Sequence, residues 1–159
     1  MEYFILKLIH IGALVLWLGP AFGAWVVLKV VGDENVGPVT AKVNRAFFAM
    51  ITLEHLAFAV LLITGFLMAN MANWFATPWL SQKLLLVGIF VIPLEVIDII
   101  LGNWLAAKAS KNIQLGKATA RQKYLLNIYH GPFTKIAIVI IPISVILIMY
   151  LAVSKSSLM

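Results

Sequence analysis

Four long apolar runs, broken only by isolated polar residues, set the pattern of this chain: residues 4–30, 46–69, 79–107 and 125–153. A helix that crosses a membrane needs about 20 mostly apolar residues at about 1.5 Å rise each. Each run is long enough, and with short connections the four use up the chain. The pattern therefore predicts an all-α fold, an integral membrane four-helix transmembrane bundle forming a single domain over 1–159. The connections differ in character. Residues 31–45 hold Gly32, Asp33, Glu34, Asn35, Gly37 and Pro38, a turn cluster, then Lys42 and Arg45. Residues 110–124 hold Lys111, Lys117, Arg121 and Lys123 with no acid, just after Lys108, whereas 70–78 carry no charge. Basic connections favour the cytoplasmic side, so the first and third are expected inside and both termini outside. Trp74, Trp79 and Tyr150 suit the outer interface, Tyr124 and Tyr129 the inner one. The first run is expected to be a retained helix. Signal-peptide cores are about 7–15 residues long behind a basic segment, and here Glu2 precedes a longer run with no evident small-x-small cleavage pattern.

Composition sharpens this picture. Hydrophobic residues make up 63% of the chain and charged ones 11%, far from the usual soluble domain. With no cysteine, disulfides, thiolate metal sites and thiol redox chemistry are excluded. A net charge of +6 would suggest nucleic acid in a soluble protein, but in a membrane protein it reflects loops beside anionic lipid. The expected partner is the lipid bilayer and not nucleic acid, the expected location the inner (plasma) membrane, multi-pass. A homo-oligomer is left open, and the compact size favours a prokaryote.

Ionisable groups inside spans cost about 2.5–3.5 kcal/mol or more at the helix centre, so they face the bundle interior and serve a function. Here they are His10 in the first helix, Glu54 and His55 in the second, Lys83, Glu95 and Asp98 in the third, and His130 opening the fourth. Helical rise puts His10 about 9 Å and Lys83 about 6 Å below the outer edge, His55 at about 21 Å and Glu95 at about 24 Å, with His130 deeper still. Two axial ligands of one haem iron must sit level, so His10 and Lys83, nearly level, can pair, while His10 and His55 make a poor pair. The bland alternatives are a histidine bonded to a neighbouring helix and a lysine that snorkels to the interface. Glu95 and Asp98, three apart, share a face with Gly88 and Gly102 and suit a proton path or a cation site, which Glu54 could join; pairing with His55 or His130 is the structural alternative. Gly12, Gly19 and Gly23 recur on the first helix beside Trp17 and fit either close helix contact or a flat cofactor against that face, which makes Trp17 and Gly19 cofactor-facing candidates. His130, Thr134, Ala137, Ile141 and Ser144 form one stripe, the expected inward face of the fourth helix. Met68 and Met71 are a weak hint of Cu(I).

Four strings in order, KLIHIGALVLWLG around His10, LLITGFLM in the second helix, PWLSQKLLLVG around Lys83 and NIYHGPF opening the fourth, carry a resemblance. The chain resembles HemJ, the oxygen-independent protoporphyrinogen oxidase family, and its small four-helix relatives near the copper-resistance D domain, over nearly its whole length. The resemblance implies haem b contacts at the histidine of the first helix and the lysine opening the third, which are His10 and Lys83 here. HemJ-like chains carry Asn-Glu-x-Pro where this one has Tyr129, His130, Gly131 and Pro132, and the acids Glu95 and Asp98 also differ. His55 and His130 are then candidates for a second ligand set. The leading expectation is a haem b-binding membrane redox protein exchanging electrons with a quinone or porphyrinogen-like substrate, with His10 and Lys83 as iron ligands and Glu54, Glu95 and Asp98 handling protons. The rivals are a copper or proton transporter and an accessory subunit without chemistry of its own.

Overall fold

The structure, a computed structural model, describes residues 1–31 and 37–157. Its four long helices are α1 (Glu2–Val31), α2 (Pro38–Met71), α3 (Pro78–Gln114) and α4 (Ala120–Ser154), each long and apolar enough to cross a membrane. No strand occurs among the described residues. The helices start where the chain can start them. Pro38 and Pro78 sit in the first turns of α2 and α3, where a missing N–H leaves no bond unmade. At α4, Thr119 Oγ1 accepts from the Gln122 backbone N–H while the Gln122 side chain accepts from the Thr119 N–H, a reciprocal cap.

These boundaries run past the apolar runs. α2 begins at Pro38 and not at 46, α3 continues to Gln114, and α4 starts at Ala120. Lys42, Arg45, Lys108, Lys111, Arg121 and Lys123 are thus on helix, because helical backbone continues for a turn or two beyond the apolar stretch when a cap or proline permits it. The turn cluster read at Gly32, Asp33, Glu34 and Asn35 lies outside the described residues.

The ends of the bundle are easily told apart. At one, the rings of Tyr3 and Trp74 meet edge to face at 6.1 Å, Trp74 and Trp79 at 5.2 Å, and Lys155 Nζ lies 4.9 Å from the Trp74 ring centre. Both ends of the described chain and the α2–α3 connection therefore share it. At the other, the Gly37 N–H donates to Gln114 Oε1 at 3.2 Å, tying the start of α2 to the end of α3. The helices alternate in direction, and the basic residues named above gather at the Gly37 end. Trp79, expected at an interface, is at the aromatic end but buried.

Burial is inverted relative to a soluble protein. Phe4, Leu8, Val15, Leu56, Ile63, Phe66, Leu85, Trp104, Val139 and Ile146 point outward, while Thr40, Asn44, Glu54, Thr64, Glu95, Ser110, His130 and Ser144 are buried. Two apolar cores hold the bundle, one around Leu28, Phe47, Ala106, Leu126 and Tyr129, the other around Trp17, Ala57, Phe58, Val91 and Val145. Between them the helices are irregular. α1 breaks at Gly19, because Pro20 has no N–H to continue the ladder. α3 contains wide π-turns at Val87–Val91 and Ile99–Ala106, the first just before Pro93, and α4 has one at Tyr129–Phe133 that includes Pro132. There the Tyr129 carbonyl accepts from the Thr134 backbone N–H and also from its hydroxyl, the latter at 2.5 Å.

The α3–α4 contact depends on Gly102. A methyl there would lie 2.6 Å from the Tyr129 hydroxyl oxygen and 2.8 Å from its Cζ, and the buried ring has no room to retreat. Gly102→Ala is expected to lower stability by about 1–3 kcal/mol, read as a fall in the unfolding midpoint of detergent-purified protein; an unchanged midpoint would refute the contact.

Candidate functional site

Half of the chain's six acidic residues, Glu54, Glu95 and Asp98, meet in the middle of the bundle. Glu95 and Asp98 sit on the one regular stretch of α3, Ile92–Asp98, between its two π-turns. The Trp17 indole N–H donates to Glu95 Oε1 at 2.6 Å and His55 Nδ1 to Glu95 Oε2 at 2.9 Å. One carboxylate thereby holds α1 and α2 against α3. His55 Nε2 lies 3.8 Å from Asp98 Oδ2, an ion-pair distance too long for a hydrogen bond. Asp98 shares a hydrogen bond with the Tyr129 side chain, which brings in α4. Glu54 is 8% exposed and its Oε2 has no hydrogen-bond partner among the described residues.

A cleft of about 430 Å³ opens beside these groups. All four helices wall it: Trp17, Gly19 and Phe22 from α1, Glu54 from α2, Glu95 and Asp98 from α3, and Tyr129, Thr134, Ala137 and Ile141 from α4. Three members of the stripe read on the fourth helix, Thr134, Ala137 and Ile141, face it, and Ser144 and His130 are buried. Trp17 and Gly19, read as cofactor-facing, also lie on its wall.

The second centre lies nearer the aromatic end. His10 Nδ1 is 2.9 Å from Thr64 Oγ1, and that hydroxyl donates its hydrogen to the Val60 carbonyl at 2.7 Å. Toward His10 the hydroxyl must therefore accept, which assigns the ring proton to Nδ1 and leaves the lone pair on Nε2. Gly65 makes room for the ring, since a methyl there would lie 3.1 Å from His10 Cε1. Lys83 is close enough to interact electrostatically with His10. A histidine fixed through one nitrogen with the other available is what metal ligation requires, so His10 could hold a metal or a metal-bearing cofactor through Nε2.

The remaining candidates fall elsewhere. His130 packs among Phe47, Phe48 and Tyr129 at ring separations of 5.2, 6.3 and 5.0 Å, whereas His55 is engaged with Glu95, so the two histidines have different surroundings. Met68 is buried and Met71 half-exposed, facing different environments. Among the described residues, no three His, Cys, Asp or Glu side chains are arranged to hold a metal ion. Two participants escaped the sequence reading. Tyr129, expected at an interface, is buried against Asp98 and Gly102, and Thr64 orients His10. The glycine at 102, on the face of the acids, was the available signal for the first; a hydroxyl one residue before Gly65 was the only signal for the second.

No protein-family model, curated protein or solved structure matches the chain.

Glu95 satisfies two buried donors and Glu54 Oε2 none, so the two should not be equivalent. Glu95→Ala is expected to cost about 2–4 kcal/mol, because it strands the Trp17 and His55 donors in the interior, and Glu54→Ala markedly less. Chemical unfolding of the two variants in the same detergent checks the order; equal losses would contradict the network.

Proposed function

We propose that this chain is a haem b-binding redox protein of the inner (plasma) membrane, HemJ-like in its ligands, with both termini outside. In this reading His10 and Lys83 hold the iron, and Glu54, Glu95 and Asp98 handle protons during electron exchange with a quinone or porphyrinogen-like partner in the lipid. The observation that carries it is the His10 arrangement, with Nδ1 tied to Thr64, Nε2 left as a donor atom and Lys83 adjacent. Haem b, when bound, supplies one-electron chemistry. The chain's own residues contribute orientation and proton handling. Thr64 fixes the imidazole, Glu95 anchors Trp17 and His55, and Asp98, with Tyr129 and His55 beside it, can take up or release a proton within the bundle. The basic residues at the Gly37 end support the orientation through the positive-inside rule.

The test is the optical spectrum of purified protein supplied with haem, oxidised and dithionite-reduced. Wild type and His55→Ala are expected to show reduced haem b bands and His10→Ala to lose them. Colourless wild-type protein, or bands unchanged in His10→Ala, would overturn the reading.

A second reading, proton transport, is favoured by one observation: Glu54 lines the cleft beside Glu95 and Asp98, and its Oε2 has no hydrogen-bond partner among the described residues. It predicts proton flux in proteoliposomes that Asp98→Asn lowers at least tenfold, and flux indifferent to that change would refute it. The same open cleft counts against an accessory subunit, whose polar groups would satisfy one another and leave no cavity.

A further inference from the structure

The side-chain N–H and O–H groups of Trp17, Tyr129 and Thr134 on the walls of the central cleft are already engaged, as is the His55 Nδ1–H behind Glu95. The Trp17 indole and the His55 Nδ1–H are both spent on Glu95, the Tyr129 side chain is bonded to Asp98, and the Thr134 hydroxyl donates to the Tyr129 carbonyl. Glu54, more than nine-tenths buried, also lines the cleft, and its Oε2 has no hydrogen-bond partner among the described residues. No Lys, Arg or His is among the described residues that line the cleft, whose wall carries three carboxyl groups; His55 meets Glu95 and Asp98 from outside that lining. An occupant that brings positive charge or hydrogen-bond donors would find several acceptors on these walls.

Size and wall chemistry narrow the class. A volume of about 430 Å³ is that of a site for a small organic molecule and far exceeds a bare ion. The rings of Trp17, Phe22 and Phe133 line the same space, and aromatic walls favour a cation that carries an apolar body. With Phe22 half-exposed on the outer face of α1, the cleft borders the apolar exterior.

We infer that the cleft is a binding site for a lipophilic organic monocation, a substituted ammonium or phosphonium whose charge rests against Glu54 and whose apolar groups lie among the aromatic walls. It goes beyond the haem reading and does not require it.

Tetraphenylphosphonium is the probe, and tetraphenylborate, of the same shape and opposite charge, is the control. Equilibrium dialysis of the full chain in lipid nanodiscs, with protein-free nanodiscs subtracted, is expected to give saturable phosphonium binding and no saturable borate binding. Glu54→Gln, nearly isosteric, should weaken phosphonium binding at least fivefold. Ala137→Phe, which fills the cleft from α4 and leaves every acid in place, should do the same. Binding in either folded variant within fivefold of wild type, saturable borate binding of equal strength, or no saturable phosphonium binding overturns the inference. Dialysis needs no haem, so a colourless protein that binds phosphonium fails the haem reading alone, and a haem-loaded protein that does not bind it fails this one alone.

Discussion

The Glu95 carboxylate is the constraint on which the middle of the bundle depends. A carboxyl group deep in an apolar interior is costly unless its oxygens are hydrogen-bonded, and both oxygens here have a donor, from Trp17 on α1 and from His55 on α2. The two bonds fix more than a charge. The indole must lie level with Glu95, which sets the height of α1 against α3, and the imidazole does the same for α2. Trp17 is also the anchor of one apolar core, packed against Phe58 with ring centres 5.2 Å apart, so polar pairing and apolar packing enforce the same register. Water-hating surfaces cannot by themselves set register when the surroundings are lipid, since lipid tails are as apolar as the side chains; directional bonds can.

Helix α4 joins this arrangement through a different device. Regular α-helical geometry would repeat its stripe every three or four residues, but the π-turn at Tyr129–Phe133 shifts the register just where the chain meets the acids. Tyr129 is turned toward α3, lies over Gly102 and meets Asp98. The paired π-turns of α3 do the corresponding job on the other side, leaving one short regular stretch to carry Glu95 and Asp98. Irregular backbone of this kind is tolerated inside a bundle where its groups keep partners, and the Tyr129 carbonyl accepts from both the backbone N–H and the hydroxyl of Thr134.

Much of this was legible from spacing. Counting rise per residue put His55 and Glu95 about 3 Å apart in depth, and they are hydrogen-bonded; it put His10 and Lys83 level, and they interact. Helical periodicity picked Thr134, Ala137 and Ile141 as inward, and all three line the cleft. The helix ends were not legible, because hydropathy marks where apolar side chains stop and helical backbone outlasts them. Nor was the burial of Tyr129, since a tyrosine near a helix end fits an interface equally well until a glycine on another helix supplies a place for its ring. Thr64 was invisible for a similar reason. A threonine in an apolar helix usually bonds its own backbone, and Thr64 does that as well as receiving His10.

The two centres are linked by α1. His10 and Trp17 are seven residues apart, two turns, which puts them on one face and about 10 Å apart along the axis. His10 meets α2 at Thr64, while Trp17 meets α3 at Glu95, so a single rigid helical segment ends at one centre and begins at the other. That segment stops being continuous at Gly19, two residues beyond Trp17 and on the wall of the cleft. The break separates a fixed upper half, tied at both His10 and Trp17, from the lower half that carries Phe22. The cleft spans this joint, with Trp17 on one side of it and Phe22 on the other, so the segment that is tied at His10 also forms part of the cleft wall.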